Sequence, residues 1–342
     1  MIRRIIFRGC IRRIGGAWRR HLHDHYGELQ LLYKLKSKNA AYIALNEEKN
    51  LLYSFQEVTK EKNPKLCTYS IIDGQFKLIN EQVISGGLPC HLLKIEDRDL
   101  LVVACYQTGS VLVYPLDRNG IPKSASQEII HVGFSINALR QESAHAHMIS
   151  YNIHDGLIYV PDLGMDKIMV YKITDNNQLQ ENHQIEIPKG GGPRHMVFHP
   201  SNHYAFVMNE LTGAVSLLKN NNGKFAWIQN TSSLSIDHFG EASSSAIKIS
   251  KTGRFIYCGN RSNHTISILE FDEETRVLKF VGSQSTFGKT PRDFTLSPSG
   301  NWLLVANQDS DTIVVFAINE QAGLLNKAQE NKESKSISCL KF

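Results

Sequence analysis

The chain has 342 residues, 42% of them hydrophobic, yet no apolar run approaches the ~20 residues a membrane helix needs, and none follows the early arginines as a secretory signal would. The formal net charge of +5 is concentrated in seven arginines among residues 1–20; without them the rest carries −2, which excludes a basic nucleic-acid surface on the body. The six cysteines are scattered with no CxxC pair, so neither a zinc cluster nor a disulfide framework is expected, and a reducing, cytoplasmic setting is.

Residues 1–27 form an atypical, arginine-rich start. Strands are predicted at Ile5–Phe7 and Trp18–His23, then a turn at Asp24–Gly27 and a strand at Glu28–Leu35, which would make an irregular blade. A targeting or RNA-binding tail is the other reading of this head. His21, His23 and His25 fall inside it and read as a solvated segment rather than a chelating cluster.

Further along, one β-rich unit returns. Its second strand is predicted at Leu51–Gln56, Leu100–Cys105, Leu157–Asp162, Tyr204–Asn209, Phe255–Asn260 and Trp302–Asn307, with starts 49, 57, 47, 51 and 47 residues apart. An inner strand such as His195–His199 precedes it across a turn rich in Pro, Ser, Asn and Gly. A β-branched third strand follows, as at Ser110–Tyr114, Lys167–Tyr171, Thr265–Leu269 and Thr312–Phe316. Polar stretches such as Asp175–Glu186 and Asp272–Leu278 read as outer edge strands. A β-rich period of about 40–50 residues is one blade of a propeller. Six units are visible, and the terminal stretch Lys335–Phe342 reads as a lone strand. The expectation is therefore an all-β, seven-bladed β-propeller. Residues 1–342 make one domain, the last blade closed by N- and C-terminal strands.

In a propeller the inner strands line the central channel, so matching positions converge. Nine residues before each second strand stand Tyr42, His91, His195, Ala246 and Asp293, with His147 equivalent where the turn is one residue longer. Arg194 and Arg292 come one position earlier, and His145 lies two residues before His147. Just after the polar residue ending each second strand stand Glu57, Tyr106, Leu163, Glu210, Arg261 and Gln308. Imidazoles exchange protons near neutral pH, guanidiniums grip carboxylates and phosphates, and a carboxylate can orient a histidine. Such a set suits hydrolysis or isomerisation of a small anion. Because neighbouring strand residues face opposite sides, only one of Arg194 and His195 is expected to reach the channel. His145 and His147 could pair on a metal, but no third ligand or cysteine accompanies them. Asp162, Asn209, Asn260 and Asn307 read as structural, satisfying backbone between blades. Gly190–Pro193 lacks the Lys-Ser/Thr and following helix of a phosphate loop and reads as an inter-blade turn.

Several segments resemble the seven-bladed lactonase family, which includes a bacterial type of 6-phosphogluconolactonase and the fungal carboxymuconate-lactonising enzymes. They are His145-Ala-His-Met-Ile-Ser150, Val160–Tyr171, Gly192-Pro-Arg-His-Met-Val-Phe-His-Pro200, Asn209-Glu210, Gly240-Glu241, Gly259-Asn-Arg261, Pro291-Arg-Asp-Phe294, Val305–Asp311 and Cys339-Leu-Lys-Phe342. The likeness runs from about residue 85 to the end; the arginine-rich start departs from it. The resemblance implies catalytic roles for His147, Arg194, Glu210 and Arg261. Substrate-binding roles fall on His145, His195, Glu241 and Arg292. It also implies a small anionic lactone as substrate, 6-phosphogluconolactone first, with no metal or organic cofactor. No nucleic-acid or membrane partner is expected, and the chain reads as a monomer. A carboxymuconate-type cycloisomerase and a non-catalytic propeller scaffold are the alternatives.

Overall fold

The computed structural model describes residues 4–10, 14–20, 29–73, 75–332 and 336–342, with side chains from residue 37 onward. His21, His23 and His25 and the turn expected at 24–27 lie outside the described residues. Within them the architecture is an all-β propeller whose one helical element is a short 3-10 turn at Lys60–Lys62. Among the described residues no helix is long and apolar enough to cross a membrane.

Six sheets form the ring. The first has eight strands: β1 (Arg4–Cys10), β2 (Ile14–Arg20), β3 (Leu29–Lys36), β4 (Ala40–Asn46), β5 (Leu51–Gln56), β6 (Lys65–Ile72), β7 (Gln75–Val83) and, from the far end of the chain, β28 (Ile337–Lys341). Its order is β3-β2-β1-β4-β5-β6-β7, with β28 paired to β1. The arginine-rich start thus contains strands, with the second at 14–20 rather than the expected 18–23. The other five sheets are four-stranded antiparallel meanders. They comprise β8 (Pro89–Ile95) to β11 (Gln127–Ile130) with β9 (Leu100–Cys105) and β10 (Ser110–Pro115) between, and β12 (Ser150–Asn152), β13 (Leu157–Asp162), β14 (Lys167–Ile173) and β15 (Leu179–Glu186). Next come β16 (Pro193–Phe198), β17 (Tyr204–Asn209), β18 (Ala214–Asn221) and β19 (Lys224–Ser232), then β20 (Ser244–Ile249), β21 (Phe255–Asn260), β22 (Thr265–Asp272) and β23 (Val277–Ser285). The last is β24 (Pro291–Leu296), β25 (Trp302–Asn307), β26 (Thr312–Ile318) and β27 (Leu325–Asn331).

The six second strands span the residues expected for them. They are legible because neighbouring sheets cover both of their faces. β9, β17 and β21 are buried at every position, so they read as unbroken apolar runs instead of alternating ones. Burial of each such Val, Leu or Phe stabilises the fold by about 1.5–3 kcal/mol. The outer strands bury only occasional residues, as in β15 and β23, and both start later than expected: β15 at Leu179 rather than Asp175, and β23 at Val277 rather than Asp272.

The polar residues ending three of the second strands tie the chain to the preceding connection; Asn209 does not, its Nδ2 donating instead to Ser216 Oγ on β18 at 2.8 Å. Asp162 Oδ1 accepts from the backbone N–H groups of His145, Gly164 and Met165, while Oδ2 meets His131 Nδ1 at 2.7 Å. Asn260 Nδ2 donates to the Ser233 carbonyl, and Asn307 Nδ2 to that of Thr286. The glycine run is likewise a turn. Asp166 accepts from Gly190 N–H at 2.6 Å and from Gly192 N–H at 2.7 Å. Gly192 has φ +66°, and a Cβ there would fall 2.6 Å from the Leu211 side chain, so glycine is required twice over.

Candidate active site

The inner strands share one irregularity that builds the site. Pro193 pairs with Asn209 and His195 with Met208, leaving Arg194 as an extra residue. The same bulge leaves Cys90 unmatched between Pro89 and His91, and Arg292 between Pro291 and Asp293. A bulge breaks the two-residue alternation and re-aims side chains. As a result Ala41, Cys90, Arg194, Arg292 and Ser338 line one small central cavity together with Tyr42, His195 and Asp293. The expectation that only one of Arg194 and His195 reaches the channel is corrected, because the extra residue lets both do so.

Glu210, 3% exposed at the end of β17, is the node of the site. Its Oε2 meets Arg194 Nε at 2.8 Å and Arg261 Nη2 at 2.8 Å; its Oε1 meets Arg140 Nη2 at 2.6 Å. Burial alone would raise the Glu210 carboxyl, but Arg261 and Arg194, with His147 and Arg140 adding to them, hold it far below the usual carboxylate range. Arg194 also donates to the Ser245 carbonyl at 2.8 Å, and Arg261 to that of Ser244 at 3.0 Å. Burial and repulsion from Arg261 bring Arg194 down to about 10. Across the cavity Arg292 pairs with Glu57 at 3.2 Å. Four guanidiniums therefore face two carboxylates, an excess of two formal positive charges.

Aromatic rings pack across the channel. The His147 and His195 ring centroids are 5.7 Å apart, those of His195 and His91 5.8 Å, and those of His91 and Tyr42 4.2 Å. Burial, reinforced by Arg194 at His147 and His195 and by Lys341 and Lys248 at His91, pushes all three imidazoles well below their ordinary value. They are neutral near pH 7. His195 Nε2 lies 3.1 Å from Arg194 Nη1, which has only protons to give, so Nε2 accepts and the ring proton sits on Nδ1. His147 Nδ1 has no hydrogen-bond partner. No hydrogen bond joins His147 to Glu210, whose oxygens are taken by guanidiniums.

Neutral burial of three imidazoles has a consequence for stability. The unfolded chain binds protons at histidine below about pH 6.5, whereas the folded chain refuses them at these three sites. Stability therefore falls as pH drops through 6.5, by up to about 1.4 kcal/mol per imidazole per pH unit. Urea unfolding midpoints between pH 7.5 and 5 check this; a midpoint unchanged across that range contradicts it.

The other expected positions divide. His145 Nδ1 donates to the Tyr106 carbonyl at 2.8 Å, and its ring stacks on Tyr106 at 4.2 Å, so it is held beside the site. Tyr106 also meets His147 edge-on at 5.6 Å, and its hydroxyl accepts from Arg140 Nη2 at 3.3 Å. Glu241 is exposed on the connection between β19 and β20 and is not part of this cluster. Arg140, which the sequence reading missed, lies between β11 and β12, outside every repeated slot. Among the described residues no three His, Cys, Asp or Glu side chains are grouped to hold a metal ion.

The family described as Lactonase, 7-bladed beta-propeller, matches residues 15–342. The chain belongs to this family. It is 34% identical over 327 residues to the 6-phosphogluconolactonase of Formosa agariphila, covering 92% of each. With the 6-phosphogluconolactonase of Bacillus subtilis it shares 31% identity over 313 residues, covering 90% of this chain and 89% of that one. Among solved structures, the periplasmic gluconolactonase of Pseudomonas aeruginosa superposes with a TM-score of 0.88 at 25% identity, covering 98% of both chains. The propeller and the family read from the motifs agree with these likenesses.

Proposed function

We propose that this protein hydrolyses a sugar lactone, 6-phosphogluconolactone, to the open acid. The observation that carries the reading is a buried, neutral imidazole beside a cluster of guanidiniums with surplus positive charge. The surplus suits a phosphorylated substrate. His147 takes a proton from water as it attacks the lactone carbonyl. Arg194 and Arg261 stabilise the oxyanion that forms. The intermediate collapses by breaking the bond between the carbonyl carbon and the ring oxygen, the protonated His147 returns its proton to that oxygen, and the ring opens to a hydroxyl and a carboxylate held by the same arginines. Glu210 holds the arginines in place rather than acting as a base, since a carboxylate so strongly stabilised as an anion accepts protons poorly. No cofactor enters this scheme. The five free cysteines with described side chains, four of them buried, suit a reducing cytoplasm.

The reading includes one domain of seven blades. β1 and β4 share a single Cα pair, Cys10 with Ala40, which suits two blades meeting within the eight-stranded sheet. β28 carries the inner-strand bulge too: Gly9 pairs with Cys339 and Cys10 with Ile337, leaving Ser338 extra. That favours β28-β1-β2-β3 as the seventh blade, closed by strands from both ends of the chain. The chain acts as a monomer in this reading.

Formation of 6-phosphogluconate faster than the spontaneous rate, followed by a coupled assay, is the expected result. A rate no higher than spontaneous ends the reading, and a parallel assay on a carboxymuconate tests the cycloisomerase alternative. Arg140 gives a sharper test. Its side chain is 43% exposed, so it offers donors to substrate while its Glu210 contact anchors it. Arg140→Gln should lower kcat/KM for the phosphorylated lactone by roughly 10–100-fold, the loss of one charge-assisted contact of about 1.5–3 kcal/mol, and change that for unphosphorylated gluconolactone far less. An equal loss on both substrates would assign Arg140 to holding Glu210 alone.

A further inference from the structure

One buried aspartate stands behind two of the arginines. Asp166 lies in the β13–β14 turn with φ +53°. Its Oδ2 accepts from Ser135 Oγ at 2.5 Å and from Gly190 N–H at 2.6 Å, and its Oδ1 from Gly192 N–H at 2.7 Å. Three donors from two separate connections thus converge on one carboxylate, which has acceptors only. The first connection carries Arg140. Ser135 N–H donates to the Gln141 carbonyl at 3.0 Å and Gln141 N–H to that of Asn137 at 2.7 Å. Asn137 Oδ1 accepts from the Leu139 and Arg140 N–H groups at 3.1 and 3.2 Å. Residues 135–141 are therefore a closed turn that moves as one piece, so fixing Ser135 fixes where Arg140 starts. From there Arg140 reaches Glu210 Oε1 at 2.6 Å.

The second connection leads into the bulge. Gly192 stands two residues before Arg194, and its carbonyl accepts from the Glu210 N–H at 2.8 Å. The Gly191 carbonyl accepts from Leu211 N–H at 3.1 Å. The Asp166 contact to Gly192 is thereby passed to the backbone of Arg194 and of Glu210, whose side chains meet at 2.8 Å. We propose that Asp166 is a positioning residue that sets Arg140 and Arg194 in register on Glu210. It bonds to none of the three itself. The loop has other anchors: Gln141 Nε2 donates to the Leu163 carbonyl at 2.8 Å, and the His131 ring lies between Asp162 Oδ2 at 2.7 Å and the Tyr171 hydroxyl at 2.9 Å. What Asp166 adds is the link between the two connections. Catalytic geometry responds on that scale, since a misplacement of about 1 Å costs about 100-fold in rate.

Two variants separate the arms. Ser135→Ala removes the loop tie alone. It should lower kcat/KM for 6-phosphogluconolactone by roughly 3–10-fold, the loss of one hydrogen bond. In an Arg140→Gln background it should cost nothing further, because Ser135 acts through Arg140. Asp166→Asn keeps the volume but sets an NH2 group against the N–H of Gly190 or Gly192. It should lower kcat by roughly 10–100-fold on the phosphorylated and the unphosphorylated lactone alike, because Arg194 shifts as well. These kinetics rest on the lactonase reading, whereas crystals of the variants do not. Ser135→Ala crystals should show Arg140 displaced from Glu210 Oε1 with Arg194 still on Oε2, and Asp166→Asn crystals should show both displaced. An Arg140 still on Glu210 in the Ser135→Ala crystal overturns the proposal, also when Asp166→Asn fails to fold. So do losses from Ser135→Ala and Arg140→Gln that multiply, or an Asp166→Asn enzyme at parental kcat. Displaced arginines in a protein whose parent lacks lactonase turnover would end the substrate reading and keep the positioning role.

Discussion

Glu210→Ala is expected to lower stability by about 3–5 kcal/mol, the usual consequence of removing one partner from a buried ion pair. The reason is the arithmetic of the node. One carboxylate compensates Arg194 and Arg261 at 2.8 Å each and Arg140 at 2.6 Å, and Arg194 is buried with it. Truncation leaves three guanidiniums facing one another in a site already rich in positive charge. Glu210→Gln keeps the volume but swaps an acceptor oxygen for an NH2 group that guanidiniums cannot bond, so it should fall close to the alanine variant. Urea denaturation measures the loss. Adding Arg140→Gln to Glu210→Ala should recover part of it, since one uncompensated charge goes, and a double-mutant cycle gives the coupling. A Glu210→Ala variant within about 1 kcal/mol of the parent would mean that the surface-substitution range applies and that the node is not what holds these side chains.

The same node marks how far the sequence could be read. Glu210, Arg261, Tyr106 and Glu57 occupy one repeated slot after the second strands, and counting finds them because both neighbouring faces of those strands are covered and their apolar runs are unmistakable. His147, His195 and His91 are found the same way. Counting fails where a local event breaks the period. Strict alternation puts Arg194 and His195 on opposite sides, but the extra residue in β16 brings both to the channel, and nothing in the composition of Pro193-Arg-His195 announces a bulge. Arg140 escapes for a different reason. It lies on a connection with no counterpart in other units, and its reach to Glu210 spans 70 residues of chain. Glu241 differs the other way: its motif places it in the family, while the structure puts it on an exposed connection without a bond to the node.

His147→Gln is expected to cut kcat by roughly 10²–10⁴-fold, the range for removing a general base, while leaving KM close to that of the parent. The split follows from the geometry. Substrate anions are gripped by the arginines, which the substitution leaves paired, so ground-state binding survives; proton removal from water does not. His147 is the imidazole suited to the task. The acceptor nitrogen of His195 is taken by Arg194 at 3.1 Å, whereas His147 Nδ1 is unpartnered. His195→Gln should accordingly cost less in kcat than His147→Gln. The pH profile supplies a second readout. A base works only unprotonated, and burial together with Arg194 holds His147 well below its ordinary 6.5, so kcat/KM should stay level as pH falls past 6.5 and decline only at lower pH. An inflection at or above 6.5, or a His147→Gln enzyme keeping more than about a tenth of parental kcat against the loss expected for a general base, would move the proton transfer to another group.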